Sequence, residues 1–345
     1  MSLRPFPLFA ALCLASTGCV GEADFQLAPS GADPANKTAP GPGGALRLTS
    51  FSNLSAGLPV QLDLTSMAHF DGTVYALAST GGATELYSLS SGATAWSKAG
   101  PAMRGAERPV LVVRFDLAVY LAAADSASGT GSLWRLELGD DVWRRLSGAP
   151  DLAPSALLKK SGELLVAYSG SAGGLFASAD DGLTWKRRAA PSGNSAFLAS
   201  PVRRLVSSPA SPRLFAGTKT GLYTSDNAGA TWTAAPIRGE VLSLDASEAF
   251  VLAEVALGGT QRSDNYGNTW HPVVGLGGPA RCFFLAGARS FAGTATGVKL
   301  SDDGGANWRD SSAGLPSATD VHGLYLAGTS LFASTAGPVY VAQVP

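Results

Sequence analysis

Short apolar runs alternate with Gly-, Ser- and Asp-rich turns along this chain. LFAGT at 214–218 is followed by GLYT at 221–224, and FAGT at 291–294 is followed by GVKL at 297–300. Apolar runs of this length, bounded by glycine turns, read as strands rather than helices. A more continuously apolar run, such as VLSL at 241–244, precedes each pair and is expected to be more buried. A polar octapeptide ending in tryptophan follows each pair, and a further strand begins at the tryptophan. The octapeptide occurs as SADDGLTW at 178–185, SDNAGATW at 225–232, SDNYGNTW at 263–270 and SDDGGANW at 301–308. A spacing of 38 to 47 residues between copies marks a repeat architecture. Four strands per unit is the blade of a β-propeller.

Tryptophans extend the series to Trp96, Trp143, Trp185, Trp232, Trp270 and Trp308. After Trp308 the chain supplies one more set of inner strands and stops where the next box should begin. The missing strand has a counterpart at the other end: FSNLSAGLP at 51–59 aligns with WRDSSAGLP at 308–316, with Phe51 in the Trp308 place. The pattern therefore predicts an all-β fold, a seven-bladed propeller of four-stranded antiparallel blades. The N-terminal strand completes the last blade and removes exposed sheet edges. The repeat is weakest over 101–154, where a missed or merged blade is the alternative.

The octapeptide resembles the Asp-box, or BNR repeat, of sialidases, sortilin-type receptors and Ycf48-type photosystem assembly factors. The resemblance covers the four boxes directly and 46–345 by spacing. It implies the propeller fold and leaves function open, because enzymes and non-enzymes share the fold. The residues themselves support a structural role. Gly182, Gly229, Gly267 and Gly305 permit a positive φ in the turn. The third position is Asp180 or Asp303 in two boxes and Asn227 or Asn265 in the others. Asn keeps the acceptor but loses the charge and the titratable proton, so the position serves turn geometry rather than catalysis or metal binding. Trp185, Trp232, Trp270 and Trp308 are expected to bury their indoles between sheets.

Composition narrows the class. Charged residues are 15% of the chain, Gly numbers 42, and the net charge is −1. Nothing here steers the protein toward nucleic acid. Residues 1–18 read as a lipoprotein-type signal peptide, with Arg4 before an apolar run and STGC at 16–19 resembling a lipobox. In that pattern Cys19 carries the lipid. Ser16, where the pattern prefers Leu, leaves ordinary signal-peptidase cleavage as the alternative. Residues 19–45, with Pro29, Pro34, Pro40 and Pro42, read as a flexible tether of roughly 25–30 Å reach. Val20 lacks the Asp-type signal for inner-membrane retention, which favours the outer membrane. Membrane contact is expected through the lipid alone. Cys13 falls in the leader, so Cys282 remains as a lone cysteine, expected to be a buried small side chain.

Propeller sites sit where loops converge at the channel mouth, beside the starts of the inner strands. The residues there are Asp63, Arg108, Arg203, Arg204, Glu240, Arg281 and Asp320, a mixed set suited to a polar ligand or a protein tail. Two readings stand. The first is a non-catalytic binding or scaffold module, monomeric and tethered at the bacterial envelope, whose partner is an envelope protein or polysaccharide. The second is an envelope glycoside hydrolase with carboxylates drawn from Asp63, Glu240 and Asp320. Glu107-Arg108-Pro109 is only a weak echo of the sialidase arginine motif. His69, His271 and His322 read as isolated, and with one Cys they lack zinc spacing. Neither metal nor cofactor is expected. GLGGPAR at 275–281 leads into an inner strand rather than a helix and reads as a turn.

Overall fold

The computed structural model describes residues 48–344, apart from 60–62, 81–82, 102–105 and 287–288. The leader, Cys19 and the tether expected before residue 46 lie outside the described residues. Seven four-stranded sheets form the propeller. From inner to outer strand, blade 1 is Asp63–Phe70, Thr73–Thr80, Ala83–Ser90 and Ser97–Ala99. Blade 2 is Arg108–Phe115, Ala118–Asp125, Thr130–Glu137 and Arg144–Arg145. Blade 3 is Pro154–Lys160, Glu163–Tyr168, Gly174–Ser178 and Lys186–Ala189. Blade 4 is Arg204–Ser207, Leu214–Gly217, Gly221–Ser225 and Thr233–Arg238. Blade 5 is Val241–Ala246, Val251–Val255, Gly259–Ser263 and His271–Pro272. Blade 6 is Ala280–Ala286, Arg289–Thr294, Gly297–Ser301 and Arg309–Asp310. Blade 7 is Val321–Ala327, Ser330–Thr335 and Val339–Gln343, completed by Ser52–Asn53. The weak stretch 101–154 thus holds one blade, neither missed nor merged.

Ring closure is a main-chain event. Ser52 pairs with Val341 and Asn53 with Tyr340, antiparallel. The Leu54 amide donates to Val339 O at 2.7 Å, and Phe51 is buried against blade 6. The longest box spacing also has a local cause. A 3-10 helix, Gly193–Ala199, is inserted between blades 3 and 4. Its Phe197 stacks on Tyr223 at 3.9 Å and meets Trp232 edge-on at 5.5 Å, so the insertion caps an interface.

The core is divided by blade contacts. Seven hydrophobic clusters each join two consecutive blades. The box indoles fill the same place in each: Trp232 packs among blade 3 residues, Trp270 against blade 4 and Trp308 against blade 5. Cys282 is fully buried at the junction of blades 6 and 7.

Inner strands leave one edge of main-chain groups unpaired toward the channel, and buried groups of this kind need partners. Side chains from the preceding blade supply them at four junctions. Tyr325 Oη accepts from the His69 amide at 2.5 Å, and Ser66 Oγ bonds both Val112 O (2.7 Å) and Val112 N (3.1 Å). Lys160 Nζ donates to Ser208 O at 2.7 Å, and Asp245 Oδ2 accepts from the Leu285 amide at 3.0 Å. Each latch runs in the same sense round the ring.

Candidate functional site

Antiparallel pairing sorts the connections onto two ends of the propeller. The boxes join third to outer strands and occupy one end. The inner strands start at the other end, the mouth.

At the box end the four octapeptides share one hydrogen-bond scheme. The first-position serine hydroxyl accepts the glycine amide: Gly182 N to Ser178 (2.7 Å), Gly229 N to Ser225 (2.9 Å), Gly267 N to Ser263 (2.7 Å) and Gly305 N to Ser301 (2.8 Å). The third-position side chain accepts the amide four residues on, at 2.8 Å for Thr184 to Asp180 and 2.9 Å for Thr269 to Asn265. Asp and Asn reach the same geometry with opposite proton polarity. Thr184 Oγ1 donates to Asp180 Oδ2, whereas Asn227 Nδ2 donates to Thr231 Oγ1. Each indole Nε1 donates to the box glycine carbonyl at 3.0 Å. The glycines are constrained twice. Gly229 has φ +85, and a Cβ there would stand 2.2 Å from Leu175 Cδ2 of the preceding blade. Hydrogen bonds from Thr184 and Ser178 hold Asp180 down at about 2. For Asp303, burial pushes up, but bonds from Asn307 and Ser301 overcome it and leave it at about 2.

At the mouth, a β-bulge follows the first residues of the inner strand in six of the seven blades, blade 4 being regular. A bulge re-aims a side chain. The bulged residues of blades 6 and 7 are Arg281 and His322. Arg281 reaches across to the residue preceding the next blade, with Nε to Asp320 Oδ1 at 3.1 Å and Nη2 to Oδ2 at 3.2 Å. His322 Nε2 lies 3.3 Å from Asp320 Oδ2. His322 is therefore not isolated; nor is His271, whose Nε2 lies 3.5 Å from Asp264. Burial pushes Asp320 up, but the Arg281 hydrogen bonds and the His322 charge bring it below the usual carboxylate range. The same cross-blade motif recurs where Arg203 pairs with Glu240 between blades 4 and 5.

The other mouth residues behave differently. Arg204 is only 7% exposed; its Nη1 donates to Arg203 O at 2.9 Å, and it lies beneath the mouth rather than on it. Successive residues face opposite ways, so of two adjacent arginines only Arg203 turns to Glu240 of the next blade. Arg108 is exposed and lines a cleft of about 310 Å³ with Glu85, Lys98 and Glu107. Glu107 is buried there and accepts from Ser132 Oγ at 2.7 Å, which in turn accepts from Trp134 Nε1 at 2.9 Å. Asp63 begins the inner strand of blade 1, paired with Ser79, and its side chain lies outside the described residues.

Two further acids escape a reading of the sequence because they sit singly in apolar strands. Asp245 is buried on the inner strand of blade 5. Burial pushes it up to about 7, against hydrogen bonds from the Ala246 and Leu285 amides and the charge of Arg204. Glu254, on the second strand of blade 5, is raised by burial despite bonds from Thr260 Oγ1 (2.5 Å) and the Ala280 amide (3.3 Å). Both are held by neighbouring main chain. Among the described residues no three His, Cys, Asp or Glu gather as metal ligands would, and no helix is long and apolar enough to cross a membrane.

No family model matches the chain, and no curated protein matches it. Solved structures do. YCF48 bound to D1 peptide is 14% identical over 87% of this chain and all of that one, with a TM-score of 0.63. YCF48 from Cyanidioschyzon merolae is 15% identical over 86% and 99%, with a TM-score of 0.64. Selenomethionine-substituted virginiamycin B lyase from Staphylococcus aureus is 11% identical over 87% and 100%, with a TM-score of 0.62. At these identities the likeness shows the propeller fold, which carries a peptide-bound protein in one case and a lyase in another.

Proposed function

We propose that this protein is a binding or scaffold module whose mouth end receives an envelope protein or polysaccharide. The observation that carries this reading is the cross-blade charge network at the junction of blades 6 and 7, in which Arg281 and Asp320 are half-exposed and His322 lies beneath them, largely covered. Guanidinium and carboxylate held in a bidentate pair offer donors and acceptors in fixed directions. Their exposure keeps the pair weak, about 0–1 kcal/mol, so an incoming carboxylate, amide or hydroxyl can exchange into it at little cost. YCF48 bound to D1 peptide gives a precedent for this fold holding a polypeptide segment.

The boxes are of the Asp-box type in this reading and act as structural staples. The N-terminal segment supplies the anchor. Lipidated Cys19 followed by the Pro- and Gly-rich tether over 19–45 holds the propeller near the outer membrane. Glycoside hydrolysis by Asp63, Glu240 and Asp320 is less well supported. An acid catalyst needs a raised carboxyl, whereas Asp320 is held low and Glu240 is engaged by Arg203.

The test is cross-linking capture from native envelopes with the tagged full-length chain. The comparison is a variant combining Arg108→Ala, Arg281→Ala and Asp320→Ala. A partner held by the native protein and lost by the variant supports the mouth. A partner captured equally by both refutes it. Cys19→Ser should move the protein from the membrane to the soluble fraction, and unchanged partitioning would reject lipidation there.

A further inference from the structure

Blade 2 breaks the box scheme at the end opposite the mouth. Its turn before Trp143 reads LELGDDV, with Leu136 in the place of the box serine and Leu138 in the place of the Asp or Asn. The side-chain acceptors that tie the turns of blades 3 to 6 are gone. Trp143 Nε1 has no carbonyl acceptor among the described residues. The indole instead meets Tyr75 of blade 1 edge-on, with ring centroids 6.0 Å apart and planes at 86°. Beside this turn a cleft of about 460 Å³ opens between blades 1 and 2. Two of its walls are the perpendicular rings of Tyr75 and Trp143, and Phe70 adds a third aromatic side chain. Asp71, Asp140 and Asp141 also line it, among small and polar residues such as Thr73 and Ser88.

The carboxylates are not all committed. Arg144 engages Asp140 at 3.1 Å. Asp71 and Asp141 have no cationic partner among the described residues. The negative field of Asp71 is felt inside the cleft, since burial first and Asp71 second raise the Tyr75 hydroxyl above its usual value. Phe70 is only 4% exposed and its ring already carries the protein's own Arg114 at 6.0 Å, so the aromatic surface open to a ligand is that of Tyr75 and Trp143. Outside the cleft, Leu138 and Val142 are 51% and 64% exposed, an unusual pair on one turn of a low-charge surface.

From this geometry we infer that the cleft between blades 1 and 2 is a binding site for an organic cation, an ammonium or guanidinium carried on an apolar stem. Aromatic faces attract cations through the ring quadrupole and cover the apolar stem, while the exposed carboxylates of Asp71 and Asp141 at the cleft rim supply the opposite charge. A hydrated metal ion lacks the apolar surface these walls would cover. The exposed Leu138 and Val142 favour a cation borne on a polypeptide, as a Lys or Arg side chain flanked by apolar residues. The site is independent of the mouth network and stands or falls separately.

The experiment follows the indole N–H resonances of the full chain, that of Trp143 assigned by its loss in Trp143→Phe. The probes are n-butylammonium, acetyl-Leu-Lys-Leu-amide, and the neutral controls n-butanol and acetyl-Leu-norleucine-Leu-amide, all at fixed ionic strength. The expected result is a saturable shift of the Trp143 signal with both cations, at least tenfold weaker for each neutral control. The peptide should bind at least tenfold tighter than the free amine if the ligand is polypeptide-borne. Equal affinity assigns the site to a small amine and overturns the polypeptide part. Asp71→Asn with Asp141→Asn, checked for an unchanged unfolding midpoint, should weaken both cations at least tenfold. Absence of saturation, equal response to the neutral probes, or indifference to the double substitution overturns the cation site.

Discussion

The two ends of the propeller use polar residues in opposite ways. At the box end, Ser, Asp or Asn, Gly and Thr (Asn307 in blade 6) repeat the same bonds in blades 3 to 6 and spend their capacity inside the turn. At the mouth, the bulge recurs but the residue it presents does not: Val110, Ser155, Leu242, Arg281 and His322 stand at equivalent bulges. Repetition therefore marks the turn chemistry that these four blades share in closing against their neighbours. Divergence on a shared backbone feature marks the surface free to specialise. Blade 2 extends the lesson, since losing its box coincides with a cleft at that end.

The contrast breaks most readily at the staples. Trp232→Ala removes an indole that is 1% exposed and should cost about 3–5 kcal/mol. Trp143→Ala, at the opened interface, should cost clearly less; denaturant unfolding of the two variants checks the order. Equal losses would mean that blade 2 is stapled as firmly as blade 4.

Gly229→Ala should cost about 2–3 kcal/mol, from strain at positive φ and collision with Leu175. Gly92→Ala has a similar φ of +77 but meets nothing within 4 Å, and should cost only about 1 kcal/mol. The difference between the two unfolding free energies measures the close approach of one blade to the next.

Acid response separates the buried inner strands from the box turns. Asp245 is raised in the fold, so the native state holds its proton more tightly than the unfolded chain. Its contribution is fully present below about 4 and is lost as pH rises through about 7, at up to about 1.4 kcal/mol per pH unit. Asp245→Asn should flatten stability against pH over that window, while costing about 1–2 kcal/mol near pH 5 through the damaged latch to Leu285. Asp180 and Asp303 are depressed, so their stabilisation is present above about 4 and is lost as pH falls toward 2. Urea titrations across pH would distinguish the two slopes.

The smallest effect is expected for Asp180→Asn and Asn227→Asp, each leaving the urea unfolding midpoint near neutrality close to that of the native protein. Either residue can satisfy the turn, since the neighbouring hydroxyl reverses its bond. A large loss from either swap would assign the box acid a role beyond the turn.

Much of the fold was legible because it rests on local chemistry. Tryptophan spacing counted the blades, and the duplicated SAGLP exposed the shared last blade. The 3-10 insertion at 193–199 was hidden, being short and without a periodic signal. The mouth was less legible, because its contacts join residues one repeat apart that only ring closure brings together. Asp320 and His322 two positions apart were a usable local sign of proximity. Which of Arg203 and Arg204 turns to Glu240 depends on strand register, and blade 4 lacks the bulge present in the others. Asp245 and Glu254 were unreadable as a pair of buried acids, because the groups that satisfy them are main-chain amides of neighbouring strands.

The most direct test of the central claim is hydrogen exchange on the full chain, with and without the partner recovered from the envelope. The account predicts new protection at the inner-strand starts, around 203–204, 240–242, 280–281 and 320–322, with the boxes at 178–185, 225–232, 263–270 and 301–308 unchanged. Protection centred on the boxes, with the mouth unaltered, would contradict it.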